Sequence, residues 1–213
     1  MVDVVREIRT YSHDESLVDK RRSEIVVCAS SVFIKKGYDR TTMNELAEAF
    51  GMSKGGMYHY IGSKEDILYL IIKFNKEKQR EFIEKTLEKT DGMNPVESLR
   101  SAIEYHLDRL DKYQDMYVFL VGHVMPNLSK TERHTLFEDS LRITGFFETL
   151  IKNCVESGDA TADDTWLDAS MVVSMCGRWA NIRWSLRQKY TLIEYKRAIV
   201  TLAFRSLGIT ESI

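Results

Sequence analysis

Apolar residues in the first third of the chain recur at the spacing of one helix face. From Lys20 to Lys36, Ile25, Ala29, Val32 and Phe33 follow the i, i+4, i+7, i+8 pattern, and Gly37 with Tyr38 behind it reads as a glycine C-terminal cap. Thr42-Met43-Asn44-Glu45 then forms a capping box, in which the threonine oxygen accepts from the Glu45 amide and the carboxylate reaches back to the Thr42 amide. This second helix buries Met43, Leu46, Ala47 and Phe50 and stops at Gly51, where only a residue without Cβ adopts a left-handed turn cheaply. Met52 plugs the corner, and Ser53 caps a third helix over residues 54–60. Helical spacing puts Met57 and Ile61 inward and leaves Lys54, Gly55, Tyr58 and His59 outward. Two short helices about a glycine corner make a helix-turn-helix.

A further cap, Ser63-Lys64-Glu65-Asp66, opens a fourth helix with Ile67, Leu68, Ile71 and Phe74 at helical spacing. It runs on through Lys73, Lys76, Lys78 and Arg80 with Glu77 and Glu81, a face whose default reading is solvation and i, i+4 pairing. Breaks are predicted at Asp91-Gly92-Met93-Asn94-Pro95, Met125-Pro126-Asn127, Gly158-Asp159-Ala160 and Tyr190-Thr191, giving about five more helices. Two prolines and eleven glycines, with few alternating β-branched runs, leave an all-α chain as the expectation. The predicted divisions are an extension over 1–17, a three-helix unit over 18–68 and a larger helical unit over 69–213.

Composition narrows the possible functions. With 44% hydrophobic and 29% charged residues the chain can bury a core. No apolar run approaches the roughly 20 residues of a membrane span: Met116–Val121 is short and Arg178 interrupts the later stretch. The first seventeen residues are too charged for a secretory signal, and Cys28, Cys154 and Cys176 lack paired spacing, so a cytoplasmic protein with buried free thiols is expected. His106, His123 and His134 have no metal-ligand spacing around them, and there is no glycine-rich phosphate loop or nucleophile elbow. Neither a metal, nor a cofactor, nor an enzymatic activity is expected. The net charge of −2 means that any affinity for nucleic acid must come from a local surface.

The third helix has the chemistry for such a surface. Gly55 and Gly56 in its first turn each cost up to roughly 1 kcal/mol of helix propensity relative to alanine, and Tyr58, His59 and Tyr60 are unusual solvent filler. Close approach to another molecule accounts for both. Lys64, beside the free amides that open helix four, suits a phosphate. The basic trio Lys20-Arg21-Arg22 reads either as a solvated helix start or as an arm tracking DNA.

The run Phe33, Gly37-Tyr38, Thr41-Thr42-Met43, Glu45-Leu46-Ala47, Gly51-Met52-Ser53-Lys54-Gly55, Met57-Tyr58-His59-Tyr60 and Ser63-Lys64-Glu65-Asp66-Ile67-Leu68 resembles the N-terminal domain of the TetR family of transcriptional regulators over about fifty residues in register. The resemblance implies that helix three enters the major groove of double-stranded operator DNA and that Thr42, Tyr58, Tyr60 and Lys64 hold phosphates. Ser53, Lys54, Gly55, Gly56 and His59 complete the implied DNA surface, with Lys54 and His59 reading base edges or holding phosphates. Two positions depart from the family pattern: Gly56 stands where threonine is usual and Ile61 where phenylalanine is usual.

The resemblance further implies that helix four transmits effector binding, that the last two long helices pair with their mates in a homodimer, and that DNA is released when a small molecule binds. Met116–Val121, Ile143, Phe146, Phe147, Leu150 and Ile151 supply large side chains for a core or a pocket, Tyr117 and Phe147 being the candidates for a pocket wall. The segment Arg178-Trp179-Ala180-Asn181-Ile182-Arg183-Trp184 is similar to the branch of the family that responds to acyl-CoA thioesters, which makes Arg178, Asn181, Arg183 and Trp184 candidate effector contacts. Packing of Trp184 in a dimer interface with solvated arginines explains the same residues. The competing reading of the whole chain is a helical dimeric adaptor that does not bind DNA.

Overall fold

In the computed structural model the described residues are Ile8, 14–124 and 130–210, the last stretch with side chains from residue 141 onward. Most of the expected extension, the break at Met125-Pro126-Asn127 and the side chain of His134 lie outside them. Most of the described residues are helical, with no strand among them. The chain divides into two compact units, one of residues 1–77 and 115–129, the other of 78–114 and 130–213.

In the first unit α1 spans Glu15–Lys36, beginning before the expected boundary at residue 18. The signal missed in the sequence is Asp14, whose carboxylate accepts from the Leu17 amide at 3.1 Å and so satisfies one orphan donor of the first turn. Helix α2 covers Met43–Phe50, with both arms of the Thr42–Glu45 capping box formed and Gly51 left-handed at φ 78°. Helix α3 is Lys54–Tyr58, two residues shorter than predicted. After Tyr58 the chain tightens into i to i+3 bonds, His59 N–H to the Gly56 carbonyl and Tyr60 N–H to that of Met57. Ile25, Phe33, Leu46, Met57, Ile61, Ile67 and Ile71 are sealed in one core where α1, α2, α3 and the start of α4 (Lys64–Thr90) meet. Ile61 therefore fills the usual phenylalanine site without exposing itself.

Also in this unit are Asp115–Phe119 of α6 (Gln114–Phe119) and the π-helical turn Leu120–Val124. Phe119 stacks on Phe33 of α1 with centroids 5.0 Å apart, and His123 stacks on Phe119 at 5.5 Å. No turn signal marks the boundary at Tyr113, which was not predicted. Its φ of −111° and ψ of 30° end the preceding helix without glycine or proline.

The second unit holds the remainder of α4, α5 (Pro95–Lys112), α7 (Lys130–Glu156), α8 (Thr165–Asn181), α9 (Arg183–Leu186) and α10 (Leu192–Ser206). The caps are chemically ordinary: Asn94 before Pro95 accepts from the Glu97 amide, Asp164 from the Trp166 and Leu167 amides, and Thr191 forms a capping box with Glu194. Helices α5, α7, α8 and α10 pack round Ile103, Leu107, Phe147, Trp179 and Phe204. Each such side chain contributes about 1.5–3 kcal/mol by leaving water. Cys154 and Cys176 are buried here, their thiols pushed up by burial to about 11 and about 12, whereas Cys28 in the first unit is only half-buried.

Candidate nucleic-acid interface and effector region

The surface of α3 is built from the capping serine outward. Ser53 Oγ accepts from the Gly56 amide at 3.0 Å, which fixes the first turn and leaves Ser53, Lys54 and Gly55 exposed. A Cβ on Gly55 would meet nothing nearer than Ser53 Oγ at 4.0 Å, whereas one on Gly56 would press Ser53 Oγ at 3.3 Å. Only Gly55 is thus free to bring bare backbone up to a partner; Gly56 is shaped by its own cap. Tyr58 and His59 are exposed, Tyr60 is half-buried, and Lys54 Nζ stands 6.0 Å from the centre of the Tyr58 ring, at the outer limit of a cation–π contact.

Two expected phosphate holders are occupied within the protein. Lys64 Nζ donates to the Tyr38 carbonyl at 2.9 Å and lies 4.5 Å from the centre of the Tyr38 ring, so the ammonium braces the α1–α2 corner. The ammonium has three donors, and the Tyr38 carbonyl takes one of them at this short distance. Thr42 Oγ1 donates to Glu45 Oε2 at 3.0 Å while accepting from the Glu45 amide. Its single hydroxyl proton reaches a phosphate only if the bond from Oγ1 to the Glu45 carboxylate lets go. Glu45 is held ionised, its carboxyl lowered to about 2 by the Lys36 ammonium and then by the Thr42 amide and hydroxyl.

Arg22 corrects the reading of the basic trio. It is half-buried, with Nε donating to the Tyr60 carbonyl at 3.0 Å and Nη2 to that of Ile8 at 2.8 Å, so it fastens the end of the α3 turn to α1 and to the segment before it. Nothing in the basic run distinguishes Arg22 from Arg21, whose printed partner is Glu24 one turn on; only the folded chain brings Tyr60 within reach.

A family model for bacterial regulatory proteins of the tetR family matches residues 25–69, and one for the tetracyclin repressor-like C-terminal domain matches residues 92–184. The chain belongs to the TetR family. Like other TetR regulators it is a DNA-binding transcriptional regulator. It is 27% identical to the HTH-type transcriptional regulator HbdR of Aromatoleum sp. (strain CIB), over 88% of this chain and 81% of that one. Among solved structures, its fold is shared with AibR in complex with isovaleryl coenzyme A and operator DNA, at TM-score 0.66 and 23% identity, covering 85% and 97% of the two chains. The same holds for FadR of Bacillus subtilis in complex with stearoyl-CoA, at TM-score 0.65 and 22% identity, covering 84% and 96%.

The six expected effector contacts of this TetR chain fall in both units. Tyr117 belongs to the first unit; the other five belong to the second. Phe147 is fully buried against Phe82 and His106. The Arg/Trp segment is not one helix: it breaks at Ile182, φ −128° and ψ 30°, between α8 and α9. Asp111 of α5 organises it, accepting on Oδ1 from Trp179 Nε1 at 2.8 Å, Arg183 Nη1 at 2.8 Å and Arg187 Nη2 at 3.2 Å. Burial pushes the Asp111 carboxyl up, yet the bonds from Trp179 and Arg183 and the two guanidinium charges outweigh it and lower the group. Arg183 thus has an internal partner, Arg178 and Asn181 are exposed, and Trp184 is 74% exposed.

A cavity of about 190 Å³ does exist in the second unit, lined by α4, α5 and Tyr113, and none of those six residues borders it. The charged α4 face read as solvated supplies Lys78, Glu81 and Lys85 to its wall. The sequence signal was available in the matching i, i+4 faces of α4 and α5, Glu81 with Lys85 and Asp108 with Lys112, but period alone does not say that two such faces meet. His106 is enclosed by Phe82 and Phe147, and burial, then the Arg109 charge, holds it well below the ordinary histidine range.

Proposed function

We propose that this protein is a cytoplasmic homodimeric repressor, without a catalytic step of its own, that leaves a palindromic operator when the second unit takes up an acyl-CoA-type effector. The observation that carries the DNA half is the exposed first turn of α3: Ser53, Lys54 and Gly55 stand clear of the core that Met57 and Ile61 anchor, with Tyr58 and His59 beside them. Lys54 and His59 reach base edges, Gly55 admits the backbone to the groove, and Tyr58, Tyr60, Thr42 and Lys64 hold phosphates. Gly56 and Ser53 keep the turn in shape.

The effector half draws on the bound ligands of AibR and FadR, both coenzyme A thioesters. The homodimer draws on apolar surface of the second unit: Leu167 and Met171, one turn apart on α8, are each 56% exposed, and on α10 Leu202 is 51% and Ile193 63% exposed. Such a surface fits a twofold mate better than water. Two α3 helices related by a twofold axis require half-sites about one helical repeat apart. Helix α4, which contributes to both units, carries the change.

The test is binding of the purified protein to the promoter region of its own gene across a salt series, with a panel of short, long and aromatic acyl-CoAs. Tight, salt-sensitive and sequence-dependent binding, relieved by one thioester, is the expected result. Specific binding that no thioester relieves removes the effector class, and absence of specific binding at any salt removes the repressor.

A further inference from the structure

Helix α3 is too short to hold its own pose. Lys54–Tyr58 makes little more than one turn, and isolated helices below roughly twelve residues are marginal in water, so what grips its two ends decides how it stands on the domain. The N-terminal end has the Ser53 cap, and Met57 anchors the middle in the core. The C-terminal end leads into His59 and Tyr60 without a glycine; His59 stays right-handed at φ −66° and ψ −26°. The turn's own bonds end on the Gly56 and Met57 carbonyls, and the Tyr60 carbonyl lies beyond them.

Arg22 takes up that carbonyl. Its Nε donates to Tyr60 at 3.0 Å and its Nη2 donates to the Ile8 carbonyl at 2.8 Å, both ordinary hydrogen-bond lengths. The two nitrogens form one edge of a planar group, so two bonds fix the plane and the Nε bond does not swing aside while the other holds. The arginine stems from α1, whose Ile25, Val26, Ala29 and Phe33 are buried in the core that also holds Met57. Its base is therefore rigid. What the two carbonyls require is a pair of N–H groups set in one plane, which a lysine ammonium does not supply.

We infer that Arg22 is a positioning residue for DNA binding: without touching DNA, it holds the His59–Tyr60 end of α3 at the angle the operator requires, and through the Ile8 carbonyl it ties the chain before α1 to the same unit. This deepens the DNA half of the reading above and rests on it. The basic run Lys20-Arg21-Arg22, read as an arm tracking DNA, gives Arg22 a phosphate; the fold gives it the recognition helix instead.

The experiment compares full-length wild type, Arg22→Gln and Arg22→Lys in two measurements. One is affinity, over a salt series, for an operator that the wild type selects from randomised duplexes. The other, without DNA, is hydrogen exchange at the His59, Tyr60 and Ile61 amides, which close the α3 turn. Arg22→Gln is expected to bind about tenfold more weakly with an unchanged slope of log affinity against log salt, since no cation has left the phosphates. Its three amides are expected to exchange faster, while the Leu46 amide, bonded to the Thr42 carbonyl in α2, keeps the wild-type rate. Arg22→Lys keeps the charge and gives up the planar edge, and is expected to share the loss in both measurements. Unchanged affinity in Arg22→Gln, a slope reduced by about 1, or wild-type affinity in Arg22→Lys overturns the inference. Faster exchange that spreads to Leu46 overturns it too, by making Arg22 a general support of the fold. A wild type that enriches no sequence removes the operator reading and this inference with it, whereas variants that bind as the wild type does remove the inference alone.

Discussion

Lys64 Nζ donates to the carbonyl of Tyr38 at 2.9 Å, so the residue that opens α4 also closes the corner between α1 and α2. The same ammonium serves the fold and, in our reading, a DNA phosphate. Lys64→Gln is expected to lower operator affinity about tenfold for all sequences alike and to reduce the slope of log affinity against log salt by about 1. Filter binding over a salt series reads both. An unchanged slope shows that Lys64 only braces the corner.

Gly55 separates stability from function. Its Cβ would meet open space, so Gly55→Ala is expected to stabilise the protein by up to about 1 kcal/mol through helix propensity, visible as a higher Tm. If bare backbone enters the groove there, the same variant binds the operator more weakly. A variant that is more stable and binds equally well excludes close approach at Gly55.

Phosphate and base contacts differ in what they change. Tyr58→Phe is expected to weaken specific and non-specific DNA binding by similar factors, whereas His59→Ala and Lys54→Ala shift the preferred operator sequence in a selection from randomised sites. A His59→Ala protein with the wild-type preference assigns that residue to the backbone.

The capping box of α2 is sensitive to acid. Glu45 has its carboxyl lowered to about 2 by Lys36 and Thr42, below the ordinary value of 4.5, so the folded state binds this proton less readily than the unfolded chain. The stabilisation is present above the unfolded value and is lost as pH falls through it toward 2. Thermal melts between pH 6 and pH 2 on the wild type and Glu45→Gln should converge at the acid end. Thr42→Ala removes the other arm and is expected to cost about 1 kcal/mol at neutral pH.

Asp111 gathers Trp179, Arg183 and Arg187 on one oxygen. Asp111→Ala leaves the buried indole N–H of Trp179 without its acceptor and Arg183 with only the backbone carbonyl of residue 111, and about 2 kcal/mol of stability is expected to go with them. Denaturant unfolding measures it. Asp111→Asn, which keeps an acceptor for the indole, should retain part of that loss.

The helix-turn-helix was legible because its information is local. Capping pairs such as Thr42 with Glu45 and Ser53 with the Gly56 amide act over three residues, Gly51 stops α2 by its own backbone freedom, and helical period names Met57 and Ile61 as core. The outward set on α3 follows from that period without any partner. The N-terminus of α1 was also written locally, in Asp14, but lay behind a boundary drawn at residue 18.

What depends on residues far apart in the chain was decided by the tertiary structure alone. Arg22 and Arg21 are equivalent in the sequence, yet Arg22 meets the Tyr60 carbonyl thirty-eight positions away and Arg21 stays on its own helix with Glu24. That Asp111, sixty-eight residues before Trp179, accepts from Trp179 and Arg183 of the Arg/Trp segment is visible only in the fold. The cationic faces of α4 and α5 each look solvated when read singly; only their meeting makes a cavity. Periodicity reports which side of a helix is apolar, and not which helix will face it, because that choice is made by packing across the whole core.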